Sequence, residues 1–282
     1  MTEDPFRLPT GISSRVDLKN GVRMPVFGLG VYQTPKGRPT QEAVGTALSA
    51  GYRLIDTAAL YGNEADVGQA IRDSGVGAED VFVTTKLWNS EHGRERTEKA
   101  FERSRRELGV DVVDLYLIHW PVPGKRLETW QALTHLRREG KCRAIGVSNY
   151  TIAHLRELLA ASDEVPAVNQ VEFHPYLFQS ELLAFCQRHG IQLEAWAPLA
   201  RARRLDDATV LEIAQGHRKS PAQVLIRWGL QHRVIQIPKS VHPERIHENA
   251  LVADFSLSDA EMQRLDRLHT GTRTGWDPSD MA

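Results

Sequence analysis

The feature that most constrains this chain is an alternation repeated eight times. Short apolar runs, many of them β-branched, recur between residues 24 and 239, and charged amphipathic stretches separate them. The runs read MPVFGLG (24–30), RLIDTA (53–58), VFVTTKL (81–87), VDLYLIH (113–119), CRAIGVS (142–148), AVNQVEF (167–173), IQLEAWA (191–197) and VIQIPK (234–239). Near-continuous apolar runs suit parallel strands buried on both faces. Strands that alternate with helices build a parallel sheet. Eight such units, with no linker or break in composition, predict an α/β protein: a closed (β/α)₈ barrel forming one domain over 1–282. An open doubly wound sheet is the structural alternative.

The intervening stretches carry helix signals. TEKAFERSRREL (97–108) puts Ala100, Phe101, Ser104 and Leu108 on one face. TIAHLRELLA (151–160) and QSELLAFCQRHG (179–190) behave alike, the second stopping at Gly190. Ser220-Pro221 reads as an N-cap followed by a first-turn proline. Two segments fall outside the rhythm. VDLKNGVRM (16–24) holds Asn20-Gly21 between alternating residues, which predicts a β-hairpin placed to plug the barrel's N-terminal end. SDAEMQRLDRL (258–268) predicts an extra C-terminal helix with Ser258 and Glu261 in capping-box spacing, and the tail after Thr270 reads as loop.

Bulk properties narrow the partners. A formal net charge of −1 gives no basic field for nucleic acid. No apolar run reaches the roughly 18 residues of a membrane span. The opening MTEDPFRLPTG has no apolar core, so no signal peptide is expected. The two cysteines, Cys142 and Cys186, lie far apart in no metal or redox spacing, and a reducing, cytoplasmic location is expected. The 11 histidines show no ligand spacing, so no metal site is expected.

In barrel enzymes, chemistry sits at the C-terminal strand ends. Asp56 follows the apolar Leu54-Ile55 of the second run, with Tyr61 five residues later; Lys86 lies near the end of the third run and His119 ends the fourth. Three adjacent strands thus bring an acid, an amine and an imidazole to one rim. Each residue alone fits a structural role; the coincidence on three adjacent strands points to chemistry. Free tyrosine has a pKa of about 10, and a neighbouring ammonium is expected to lower it. Tyr61 would then give its proton to a carbonyl oxygen as hydride reaches the carbon, while Asp56 holds Lys86 and His119 orients the carbonyl.

The segments IDTAALYGNEADVG, FVTTKLWN, DLYLIHWP, IGVSNY, NQVEFHP, EAWAPL and IPKS, in this order, resemble the aldo-keto reductase superfamily over roughly residues 16–275. Within it the chain looks closest to short bacterial members acting on methylglyoxal, glyoxal or 2,5-diketogluconate. The resemblance implies a TIM barrel, NADPH as cofactor, a monomer, and Asp56, Tyr61, Lys86 and His119 as catalytic residues.

The same resemblance distributes the binding residues. Gly28-Leu29-Gly30 lacks the third glycine of a Rossmann fingerprint. In the family this segment lines the nicotinamide end, implicating Gly30, Val31 and Tyr32. Ser148, Asn149 and Gln170 match positions that bind the nicotinamide amide. Trp196 matches the aromatic stacked on the ring, with Pro198 and Leu199 following it. A Lys, a hydroxyl and an Arg converging on one loop suit a phosphate. Lys239, Ser240, Val241 and Arg245 match the 2′-phosphate site, and Glu248 and Asn249 the adenine site. Tyr32, Tyr61, Trp88, His119 and Trp120 should wall the substrate mouth, and the short loop after Trp120 and the short tail predict an open pocket. The expected activity is NADPH-dependent reduction of small aldehydes and ketones. The alternative is a non-catalytic NADPH-binding sensor or structural protein on the same fold, since fold does not fix function.

Overall fold

The structure is a computed structural model that describes residues 11–281. The opening segment considered above for a signal peptide lies, up to residue 10, outside these residues. Eight parallel strands run in chain order: β3 (Leu29–Gly30), β4 (Leu54–Asp56), β5 (Phe82–Leu87), β6 (Val113–Ile118), β7 (Cys142–Ser148), β8 (Val168–Glu172), β9 (Gln192–Trp196) and β10 (Ile235–Gln236). The sheet closes on itself. Gly28 N donates to Gln236 O at 2.9 Å, Gln236 N to Val26 O at 3.1 Å, and Gly30 N to Pro238 O at 3.2 Å. The glycines make this approach possible. A Cβ on Gly28 would collide with the Leu54 side chain, and one on Gly30 would sit 3.0 Å from Ile237 O.

The first run differs from the sequence expectation. Residues 24 and 25 belong not to the barrel but to a hairpin of β1 (Arg15–Asp17) and β2 (Arg23–Pro25). Pro25 has no N–H for a continuing ladder, and the chain changes partners there. The hairpin turn is also longer than a two-residue Asn-Gly turn. Gly21 N donates to Leu18 O and Leu18 N to Val22 O, with Gly21 at φ 81°, so a three-residue loop carries the left-handed glycine at its end. The plug is present. Val16, Leu18 and Met24 are buried, Asn20 Nδ2 donates to Arg143 O near the start of β7, and Lys19 Nζ donates to His189 O just before β9.

Ten α-helices surround the strands: α1 (Arg38–Ser49), α2 (Glu64–Asp73), α3 (Arg94–Leu108), α4 (Arg126–Arg138), α5 (Ile152–Ala161), α6 (Ser180–His189), α7 (Ala208–His217), α8 (Pro221–Gln231), α9 (Pro243–Ala250) and α10 (Asp259–Asp266) among the described residues. α3 buries Ala100, Phe101, Ser104 and Leu108, the face read from its spacing. Gly190 ends α6 in the left-handed region, and Ser220 and Ser258 cap α8 and α10 in reciprocal capping boxes with Gln223 and Glu261. α7 is a helix the one-per-strand rhythm did not announce; Asp207 caps it by accepting from Thr209 N at 2.9 Å. The tail is not all loop, since Pro278–Met281 forms a 3₁₀ turn. No described helix is long and apolar enough to cross a membrane.

Candidate active site

The C-terminal strand ends open into a cleft of about 720 Å³. At its floor, β4 ends in Asp56 and β5 carries Lys86, both buried. Lys86 Nζ spends its three protons on Asp56 Oδ1 at 2.6 Å, Thr57 O at 2.8 Å and Tyr61 Oη at 3.3 Å. Tyr61 ends a 3₁₀ turn, Ala59–Tyr61, that follows β4. Because lysine donates to the phenol oxygen, the phenol proton is left to face another acceptor, and Tyr61 lines the cleft while Lys86 stands behind it.

The electrostatics correct one expectation. Burial pushes the Tyr61 phenol up to about 12, outweighing the pull of Lys86 downward, with Asp56 adding to the rise. Tyr61 is therefore protonated at neutral pH, the state a proton donor needs. Burial works against the charge on Lys86, but Asp56, with Tyr61 and Glu194, outweighs it and raises the lysine pKa. Burial also pushes Asp56 upward, opposed by Lys86 and by the hydrogen bond from Gln170. His119 follows β6; burial and then the Lys86 charge hold its pKa well below the usual imidazole value, so it is neutral.

A second carboxyl, which the sequence reading passed over, completes the floor. Glu194 sits in the middle of β9, fully buried. Gln170 Nε2 donates to Asp56 Oδ2 at 2.7 Å and to Glu194 Oε2 at 2.8 Å. Burial, then the charge on Asp56, pushes Glu194 up to about 8. At pH 7 the neutral form of Glu194 dominates, and the carboxyl in direct contact with Lys86 is Asp56, at 2.6 Å. The signal was available: a Glu inside the otherwise apolar run IQLEAWA.

On the nicotinamide side of the family pattern, the residues brace one another. Ser148 Oγ donates to Gln170 O at 2.8 Å, Asn149 Nδ2 to His119 O at 3.0 Å, and Trp196 Nε1 to Asn149 Oδ1 at 2.9 Å. Gln170 faces the cleft with both amide protons already committed, so its carbonyl oxygen is the group left to meet a ligand. Gly30, Tyr32, Pro198 and Leu199 line the same cleft, as do Lys239, Ser240, Val241, Arg245, Glu248 and Asn249 at its other end. Val31 does not: it is buried behind the wall, its carbonyl accepting from Asn63 Nδ2.

Aromatic rings frame the mouth. Tyr32 lies 4.9 Å from Tyr61 between ring centroids, Tyr61 5.7 Å from His119, and Trp88 5.2 Å from His119. Trp120 joins this wall. Several further lining residues were not named as site residues by the sequence reading, Leu60, Arg201 and Trp276 among them. Arg201 belongs to the loop after β9 and lies 5.8 Å above the Tyr32 ring.

A profile of the Aldo/keto reductase family matches residues 27–270. The chain belongs to this family. The glyoxal reductase of Bacillus subtilis (strain 168) is 50% identical over 274 residues, covering 97% of this chain and 99% of the relative. The 9,11-endoperoxide prostaglandin H2 reductase of Trypanosoma cruzi (strain CL Brener) is 51% identical over 268 residues, covering 94% and 95%. Among solved structures, a mutant of Gox0644 in complex with NADPH superposes with a TM-score of 0.89 at 43% identity, covering 95% of this chain and 98% of that one. Carbonyl reduction by an oxidoreductase is the chemistry this membership supports.

Proposed function

We propose that the protein reduces aldehydes and ketones to alcohols with NADPH, using Tyr61 as proton donor. One observation carries the reading: a buried ammonium donates to the Tyr61 oxygen, so the phenol proton is directed at the cleft beside a neutral imidazole. The cleft also fits the cofactor. Lys239 and Arg245 line one end, and neither has an ion-pair partner among the described residues, as suits a phosphate. Trp196 offers a flat face at the other end, near the committed amides of Asn149 and Gln170.

The cofactor, when bound, supplies a hydride to the carbonyl carbon. The chain's own residues manage the oxygen. His119, neutral, orients it by a hydrogen bond. Tyr61 transfers its proton as negative charge develops there, which yields the alcohol. An alkoxide is more basic than a phenolate, so a pKa near 12 does not forbid the transfer. Lys86, 3.3 Å away, then stabilises the phenolate until water reprotonates it. Such general acid catalysis contributes about 10²–10⁴ in rate.

Similarity to a glyoxal reductase favours small carbonyls such as methylglyoxal, glyoxal or diketo sugar acids as substrates. The test is NADPH consumption with methylglyoxal and with a nitrobenzaldehyde. Turnover of either supports the reading. NADPH binding without turnover across a carbonyl panel contradicts it and favours a sensor role.

A further inference from the structure

The described residues expose six large apolar side chains: Tyr32, Leu60, Val112, Leu211, Leu251 and Trp276. Half of them, Tyr32, Leu60 and Trp276, border the one cleft that holds the catalytic residues. Exposed apolar groups gathered at a concave site mark a surface that a ligand covers. Trp276 is the most conspicuous, 61% exposed, with its ring centroid 5.5 Å from that of Trp120.

Trp276 sits in the C-terminal tail, and an interior group fixes its place. Glu172, at the end of β8, is 1% exposed. Its Oε1 accepts from Thr274 N at 2.7 Å and Thr274 Oγ1 at 2.5 Å, and lies 3.1 Å from His174 Nε2. Its Oε2 accepts from Gly275 N at 3.4 Å. Three of these four contacts come from the two tail residues just before Trp276. A Cβ on Gly275 would lie 2.7 Å from Trp196 Cη2, so the tail is pressed against the wall of the cleft as well as tied to the end of β8. Burial favours the neutral form of Glu172, but the bonds from His174 and Thr274 outweigh it and hold the carboxyl below its usual pKa. The anchor stays charged at neutral pH. A buried carboxylate is costly unless its hydrogen bonds are met, and here the tail meets most of them.

We infer that Glu172 is a specificity-determining positioning residue: by tying down residues 274–275 it fixes Trp276 against Trp120, the two rings together form one apolar wall of the cleft, and this wall selects carbonyl compounds that carry an aromatic or other flat apolar body. The inference rests on the carbonyl-reductase reading. It predicts a substrate range wider than two- and three-carbon dicarbonyls, whose bodies are too short to reach the wall.

The test compares kcat/KM for naphthaldehyde with that for methylglyoxal, with NADPH, in Trp276→Ala, Glu172→Ala, Glu172→Gln and the double variant Glu172→Ala/Trp276→Ala. Losing the Trp276 part of this aromatic wall is expected to lower the naphthaldehyde-to-methylglyoxal ratio about tenfold. Glu172→Ala should lower it similarly, and Glu172→Gln, which keeps an acceptor for Thr274, should restore most of it. In the Trp276→Ala background Glu172→Ala should add nothing, because it acts through that ring. Hydrogen exchange at the Thr274 and Gly275 amides should quicken in Glu172→Ala. Thr274→Val removes a bond to the same carboxylate from the tail side and serves if Glu172→Ala does not fold. An unmoved ratio in Trp276→Ala overturns the inference, as does an equal shift from Glu172→Ala with and without Trp276. So does a wild type that reduces methylglyoxal but not naphthaldehyde. A wild type that reduces neither overturns the reductase reading itself.

Discussion

At the scale of single residues, the site depends on how many charges the barrel floor holds. Asp56, Lys86 and Glu194 lie within one buried network joined through Gln170. Two carboxylates there would face a single ammonium, and Glu194 relieves the excess by staying protonated up to about pH 8. The linkage has a definite sign. A carboxyl whose folded pKa is raised from 4.5 to about 8 contributes its stability fully below the lower value and loses it as pH rises through the upper. Glu194→Gln keeps an acceptor for Gln170 and removes the titration. It should therefore lose less melting temperature than the wild type between about pH 5 and pH 9. Parallel melting curves for the two proteins across that range would refute the assignment. Tyr61 teaches the related lesson that a neighbouring ammonium does not by itself settle a pKa. The sequence showed Lys86 near Tyr61 but could not show how completely both are buried, and burial decided the direction.

At the scale of elements, the loop from β10 into α9 carries Lys239, and the first turn of α9, not the loop itself as the sequence reading expected, carries Arg245; together they make the cationic end of the cleft. Arg245 is exposed and without an ion-pair partner among the described residues, and the proposed role is to meet the phosphate that distinguishes NADPH from NADH. A charged hydrogen bond is worth about 1.5–3 kcal/mol, or roughly tenfold to a hundredfold in affinity. Arg245→Ala should weaken NADPH binding by that factor and leave NADH binding unchanged, measured by fluorescence titration; equal losses for both cofactors would count against the role. This cluster was legible because polar residues interrupt the end of an apolar run. Glu194 was less visible, since it sits inside a run that otherwise reads as ordinary strand. Trp276 was missed because it lies in a polar tail, and only the hydrogen bonds to Glu172 reveal that the tail returns to the cleft. Val31 was misplaced because alternation sends it behind the wall, while its neighbours Gly30 and Tyr32 face the ligand side.

At the scale of the whole molecule, closure of the barrel brings β10 beside β3, and so Lys239 and Ser240 into the same cleft as Tyr61. The eight apolar runs made the strand count readable, because parallel strands covered on both faces leave little polar interruption. Closure rests on something subtler, the missing side chains of Gly28 and Gly30. Gly28→Val should push the first strand off Leu54 and destabilise the fold by about 1–3 kcal/mol, as overpacking does. Chemical denaturation checks this, and a wild-type midpoint would mean that the first strand has room to spare. Closure matters to the proposed function because it gathers Tyr61, the neutral His119 imidazole and the cations Lys239 and Arg245 around one cavity. The most direct test of that arrangement is single-turnover reduction of methylglyoxal by Tyr61→Phe, with NADPH affinity measured alongside. The rate should fall by about 10²–10⁴ with affinity nearly unchanged; a variant that keeps the wild-type rate would show that the proton comes from somewhere else.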